Sequence, residues 1–103
     1  MSWATPYVKQ LMAGKTVSFR PSGNSMAPRI KSGQLCTVEP LSPDHCCLIP
    51  GDVVLCKVGA AQYYLHLVQE VQGDRYLIGN NRGGVNGWLK ASSIYGRLVR
   101  LDP

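Results

Sequence analysis

Acidic residues are scarce in this chain: six Asp and Glu stand against eleven Lys and Arg, for a net charge of +5. The cations are dispersed, and no two of them are adjacent in the sequence. There is no basic tail or basic run of the kind that tracks a nucleic-acid backbone, so nucleic acid is not an expected partner, and the charge suits general solubility or an acidic partner. No stretch approaches the roughly 18 to 20 continuous apolar residues of a membrane-spanning helix, and the first residues lack the charged-then-apolar pattern of a secretion signal. The expectation is a soluble, cytoplasmic protein with no membrane span. Internal repeats, low-complexity tracts and linkers are also missing.

The four cysteines, Cys36, Cys46, Cys47 and Cys56, make neither a disulfide framework nor the paired CxxC spacing of a zinc site. His45 beside Cys46 and Cys47 is the weak metal alternative. Reduced thiols, no metal and no cofactor are expected. With 103 residues, 45% of them apolar, the chain can build one core unaided, and a single domain covering residues 1–103 follows.

Helical periodicity is confined to the N-terminus. Thr5 reads as an N-cap and Pro6 as the first helical residue, with Val8, Leu11 and Met12 at helical spacing and Gly14 as the stop. That predicts a short helix within residues 1–14 and a β domain over residues 15–103. Strands are predicted at Thr16–Arg20, Leu35–Glu39, Asp52–Val58, Gln62–Val71, Arg75–Ile78 and Ile94–Leu101. The turn signals Val58-Gly59-Ala60-Ala61 and Gln72-Gly73-Asp74 separate consecutive runs, which argues for antiparallel hairpins. The fold class is mainly β, a curled antiparallel sheet or partly open barrel. Pro40–Pro50 and Gly79–Ser92, rich in proline and in glycine with asparagine respectively, read as long loops.

The most informative segment is Pro21-Ser22-Gly23-Asn24-Ser25-Met26-Ala27-Pro28. Its Gly-Asn approach lets the backbone turn sharply, and amides around such a turn can point toward an oxyanion, as acyl transfer requires. Taken alone, the same residues also describe an ordinary polar loop. The second segment is Gln62–Val71, where strand alternation puts Tyr63, Leu65, Leu67 and Val71 on one face and Gln62, Tyr64, His66, Val68 and Glu70 on the other. His66 thereby avoids the more apolar face.

Gly23-Asn24-Ser25-Met26-Ala27-Pro28 resembles the Gly-x-Ser-Met-x-Pro box of the signal peptidase and LexA-like serine peptidases, in which the serine is the nucleophile. A Ser32-Gly33-Gln34 turn, Gly51-Asp52-Val53-Val54, Leu65-His66-Leu67-Val68, Gly79-Asn80-Asn81-Arg82 and Tyr95-Gly96-Arg97-Leu98-Val99 follow as in that group. The likeness spans about Ser18 to Leu101. His66 lies where many members carry a general-base lysine, and the endoplasmic-reticulum branch is similar to this chain in having histidine there. The resemblance therefore implies a LexA and signal-peptidase type fold and a Ser25–His66 dyad hydrolysing a peptide bond in a protein or peptide substrate.

The chemistry such a dyad needs is specific. A serine hydroxyl is a poor nucleophile at neutral pH, and a neutral imidazole within about 3 Å must take its proton. Histidine suits the task with an unperturbed pKa near about 6.5. The Ser25 amide, with Asn24 or Ser22 in support, would hold the oxyanion. Where the resembling loop usually carries aspartate, this chain has Asn80, and the later acidic position corresponds to Asn86. An asparagine carbonyl can select an imidazole tautomer but cannot stabilise imidazolium with a full charge.

Two rival bases are Lys57, which must be desolvated to lose its proton, and His45 in the Pro-rich loop. Met26 and Tyr64 are expected to line a substrate groove along a strand edge, while core packing is the expectation for Trp88. Two functions stay open: a Ser-His endopeptidase, and a non-catalytic peptide- or protein-binding module on the same fold, which the two asparagines favour. Self-cleavage is not expected, because no Ala-Gly or Cys-Gly pair lies on an arm able to reach Ser25.

Overall fold

A computed structural model describes residues 3–21, 26, 29–41, 48–60, 62–81 and 83–102. A helix, α1 (Thr5–Met12), precedes seven strands: β1 (Val17–Phe19), β2 (Leu35–Pro40), β3 (Val53–Val58), β4 (Gln62–Gln72), β5 (Arg75–Gly79), β6 (Val85–Lys90) and β7 (Ile94–Asp102). They form one antiparallel sheet in the order β1-β2-β7-β3-β4-β5-β6, which does not close, so β1 and β6 are its ends. Among the described residues no helix is long and apolar enough to cross a membrane.

Helix α1 begins one residue earlier than its sequence suggests. Ala4 occupies the N-cap without a side-chain hydrogen bond, and Pro6 falls in the first turn, where its missing N–H costs nothing. The buried side is Ala4, Val8 and Leu11, spaced for one helix face. Met12 is 74% exposed and takes no part in the core. Gly14, at φ +85°, ends the helix in a conformation that side-chain-bearing residues avoid.

Two apolar clusters pack on the sheet. Val17, Phe19, Cys36, Val38, Val53, Leu55 and Leu65 join the helix residues in the first, while Val54, Cys56, Val68, Tyr76, Ile78 and Ile94 make up most of the second. Strand β3 alternates between them and is buried on both faces over Val53–Cys56, which is why it reads as an unbroken apolar run. Gly96 on β7 allows a close approach between helix and sheet: a Cβ there would lie 2.6 Å from Val38 Cγ1, 2.7 Å from the Glu39 carbonyl oxygen and 3.1 Å from Leu11 Cδ1. Burial keeps both described thiols protonated, with Cys56 pushed up to about 12.

The structure differs from the sequence reading in β6. The stretch Gly79–Ser92, expected as a loop, contains a full strand paired with β5 from Arg75↔Lys90 to Gly79↔Val85. The pairing passes from Ile78↔Gly87 to Gly79↔Val85, leaving Asn86 as an extra residue, a β-bulge followed by Gly87 at φ +128°. A second bulge interrupts β4, where the register moves from Val68↔Ile78 to Glu70↔Leu77 and leaves Gln69 unpaired in the ladder. That extra residue reverses the alternation beyond it. Val71, expected on the face of Leu65, packs instead against the second cluster with Val68. Trp88 is 40% exposed and is not the core residue it was expected to be.

Candidate functional site

Strand β4 is hydrogen-bonded to β3 along its whole first half, Gln62↔Val58 to Leu67↔Val53, but its pairing with β5 starts only at Leu67. The other edge of Gln62–Leu65 faces a groove instead of a strand. This groove, about 360 Å³ in volume, is lined on the β4 side by Gln62, Tyr63, Tyr64, Leu65 and His66. Arg20, Pro21, Met26, Ile30 and Lys31 form the opposite wall, and Trp3 contributes from the start of the chain.

That opposite wall is the ends of one loop, and its base is tied. Gly33 N–H donates to the Pro21 carbonyl at 2.8 Å, and Arg20 Nη1 donates to the Gly33 carbonyl at 2.9 Å. Met26 and Ile30 are each 4% exposed and belong to the first apolar cluster, with Ile30 N–H donating to the Met26 carbonyl at 2.9 Å. Met26 is therefore held in the core and lines the groove at once. Ser22, Asn24 and Ser25, the expected oxyanion and nucleophile residues, lie outside the described residues, as do His45, Cys46 and Cys47.

His66 is the buried polar residue of this site, 4% exposed at the end of the groove's β4 wall. The face of β4 that carries His66 also carries Tyr64 and Val68, which pack in the second cluster, and that packing covers it. Its ring stacks on Tyr64, with centroids 4.5 Å apart and planes at 18°. The two side chains share a face of the strand, as residues i and i+2 must. His66 Nδ1 lies 2.7 Å from Asn86 Oδ1. A carbonyl oxygen can only accept, so Nδ1 carries the hydrogen in the neutral ring and Nε2 holds the basic lone pair. Burial pushes the His66 pKa below its ordinary 6.5, and the Asn86 hydrogen bond opposes that shift. The ring is thus held neutral, with its basic nitrogen selected, at the pH where a general base must work.

The contact with Asn86 spans β5, since β4 and β6 are both that strand's neighbours. It depends on the β6 bulge, which re-aims the Asn86 side chain. A Cβ on Gly79 would collide with the Gln69 side chain and the Gly84 carbonyl. Gln69, the extra residue of β4, donates from Nε2 to the Gly84 carbonyl at 3.2 Å, latching the β5–β6 connection to β4. Asn80 has a different position from Asn86. Its Oδ1 accepts from Gly84 N–H at 2.9 Å, and its own N–H donates to the Gly84 carbonyl at 3.0 Å, so it closes the turn before β6.

Met26 and Tyr64 both line the groove, whereas Trp88 does not. Lys57 is also elsewhere: its Nζ sits 5.7 Å from the centre of the Tyr63 ring, a cation–π placement on β3. Trp3, Arg20 and Lys31 are groove residues that sequence reasoning missed. Nothing in the local pattern marks them, because they converge only through the tied loop and the approach of the chain's start to Phe19, whose ring is 5.5 Å from that of Trp3. Among the described residues no group of three or more His, Cys, Asp or Glu is placed to hold a metal ion. No family model and no curated protein matches the chain.

Proposed function

We propose that this chain is a serine endopeptidase-like protein of the signal-peptidase and LexA type, in which Ser25 attacks a peptide carbonyl and His66 takes its proton. The observation that carries the reading is His66 on the wall of an open groove, its Nδ1 held 2.7 Å from Asn86 Oδ1. A buried, neutral, tautomer-selected imidazole is the preparation a general base needs. Support for the nucleophile comes from the chain itself: Ser25 is one peptide bond from Met26, a residue of the groove wall facing β4.

In this mechanism the substrate lies extended beside Gln62–Leu65, exchanging main-chain hydrogen bonds with that strand edge. Ser25 Oγ attacks the carbonyl carbon as its proton passes to His66 Nε2. The Ser25 amide, with Asn24 or Ser22, holds the oxyanion. The imidazolium then protonates the leaving amine, and water releases the acyl group by the same steps in reverse roles. Asn86 keeps the ring oriented throughout but offers no full negative charge to the imidazolium, so turnover is expected to be slow.

A second reading, a non-catalytic peptide- or protein-binding module, is favoured by that same asparagine. The two separate on covalent labelling. A fluorophosphonate probe is expected to modify the wild-type chain at Ser25, located by mass spectrometry of the tryptic peptide, and to leave Ser25→Ala unmodified. A wild type that is never labelled, while still binding peptides, would establish the module.

A further inference from the structure

The groove has a charge as well as a shape. Eleven described residues line it; two of them, Arg20 and Lys31, are cations, and none is Asp or Glu. Both cations come from the loop that faces the strand edge, and both are exposed. The Arg20 guanidinium is fixed by its bond to the Gly33 carbonyl, which engages one of its five donors and holds the remainder in a set orientation. The groove also presents the apolar and aromatic surfaces of Met26, Ile30, Tyr63 and Tyr64.

We propose that the groove selects an extended peptide bearing an acidic side chain, whose carboxylate meets Arg20 and Lys31 while its main chain runs along Gln62–Leu65; this deepens the peptidase reading and rests on it. A peptide fits better than a nucleic acid. An open strand edge offers main-chain donors and acceptors in peptide register, and two cations at one wall match one carboxylate, whereas a nucleic-acid strand needs positive charge repeated along its track. The scarcity of acidic residues in the chain itself keeps its own carboxylates from competing.

The test is a binding measurement independent of cleavage. Full-length Ser25→Ala is titrated, by fluorescence anisotropy, into fluorescein-labelled, blocked alanine hexapeptides containing one Leu and one Glu at every relative position, each paired with its Gln twin. At least one Glu peptide is expected to bind about fivefold more tightly than its twin at low salt, the scale of an exposed charge pair, and the gap should shrink as salt is raised. Adding Lys31→Glu should reverse the preference, so that the Gln twin binds better. Adding Arg20→Gln should narrow the gap; because Arg20 also holds the loop, the Lys31 variant carries the decision. Equal binding of twins in every register, a preference untouched by Lys31→Glu, or tighter binding of an oligothymidylate than of any peptide overturns the inference. Fluorophosphonate labelling of the wild type reports separately on the peptidase reading. Labelling without a Glu preference sinks only the selectivity, and a Glu preference without labelling sinks only the catalysis.

Discussion

Replacing His66 by alanine is expected to slow acylation of Ser25 by about 10²- to 10⁴-fold, the usual contribution of a general base. In the wild type the acylation rate should fall as pH is lowered, because protonation of the ring removes the lone pair that accepts the serine proton. The sign and place of that fall come from burial. Desolvation lowers the pKa of His66 below its ordinary 6.5, so the fall should come at lower pH than an ordinary histidine would give. Stability moves in the same sense: the folded chain resists protonation of this ring more than the unfolded chain does. Its contribution declines as pH drops below the unfolded value and levels off beneath the folded one. Single-turnover labelling rates across pH, for wild type and His66→Ala, test the prediction. A flat wild-type profile, or a rate unchanged in the variant, excludes His66 as the base.

The second large effect is a gain. Asn86→Asp should accelerate acylation by about one to three orders of magnitude, since a carboxylate selects the same tautomer and also stabilises the imidazolium that forms. The same charge favours the protonated ring, so the midpoint of the pH profile should move upward from its wild-type position. Asn86 is half-buried on an edge strand, where a carboxylate retains some hydration and the substitution is tolerable. Asn86→Ala should act oppositely, leaving Nδ1–H without its acceptor and the ring without its orientation. The profile of labelling rate against pH for the three chains is the readout. Identical profiles would mean that Asn86 does not act through His66.

Both predictions turn on a contact that the sequence only half discloses. Strands with apolar alternation and a glycine turn at each end were legible: Val58-Gly59-Ala60-Ala61 and Gln72-Gly73-Asp74 do join antiparallel neighbours. β6 was not, because Asn86 and Gly87 are turn-forming residues and here serve a bulge inside a strand. Bulges break the period of two on which strand reading depends, and the one at Gln69 also moved Val71 to the opposite face from that expected. The same ambiguity left Asn80 and Asn86 equivalent candidates; pairing across β5 separates them, one closing a turn and the other reaching His66. The groove's cations were illegible for a different reason. Arg20 and Lys31 are distant from β4 in sequence and meet it only because Met26 and Ile30 pin their loop to the core.

The central claim is that the Ser25 hydroxyl and the His66 imidazole share the groove. A crystal structure of the protein at neutral pH, before and after fluorophosphonate treatment, tests it most directly. Ser25 Oγ is expected at about 3 Å from His66 Nε2 in the free protein, with phosphorus bonded to that oxygen afterwards. A hydroxyl on the far side of the loop from the imidazole, with no adduct formed, would contradict it.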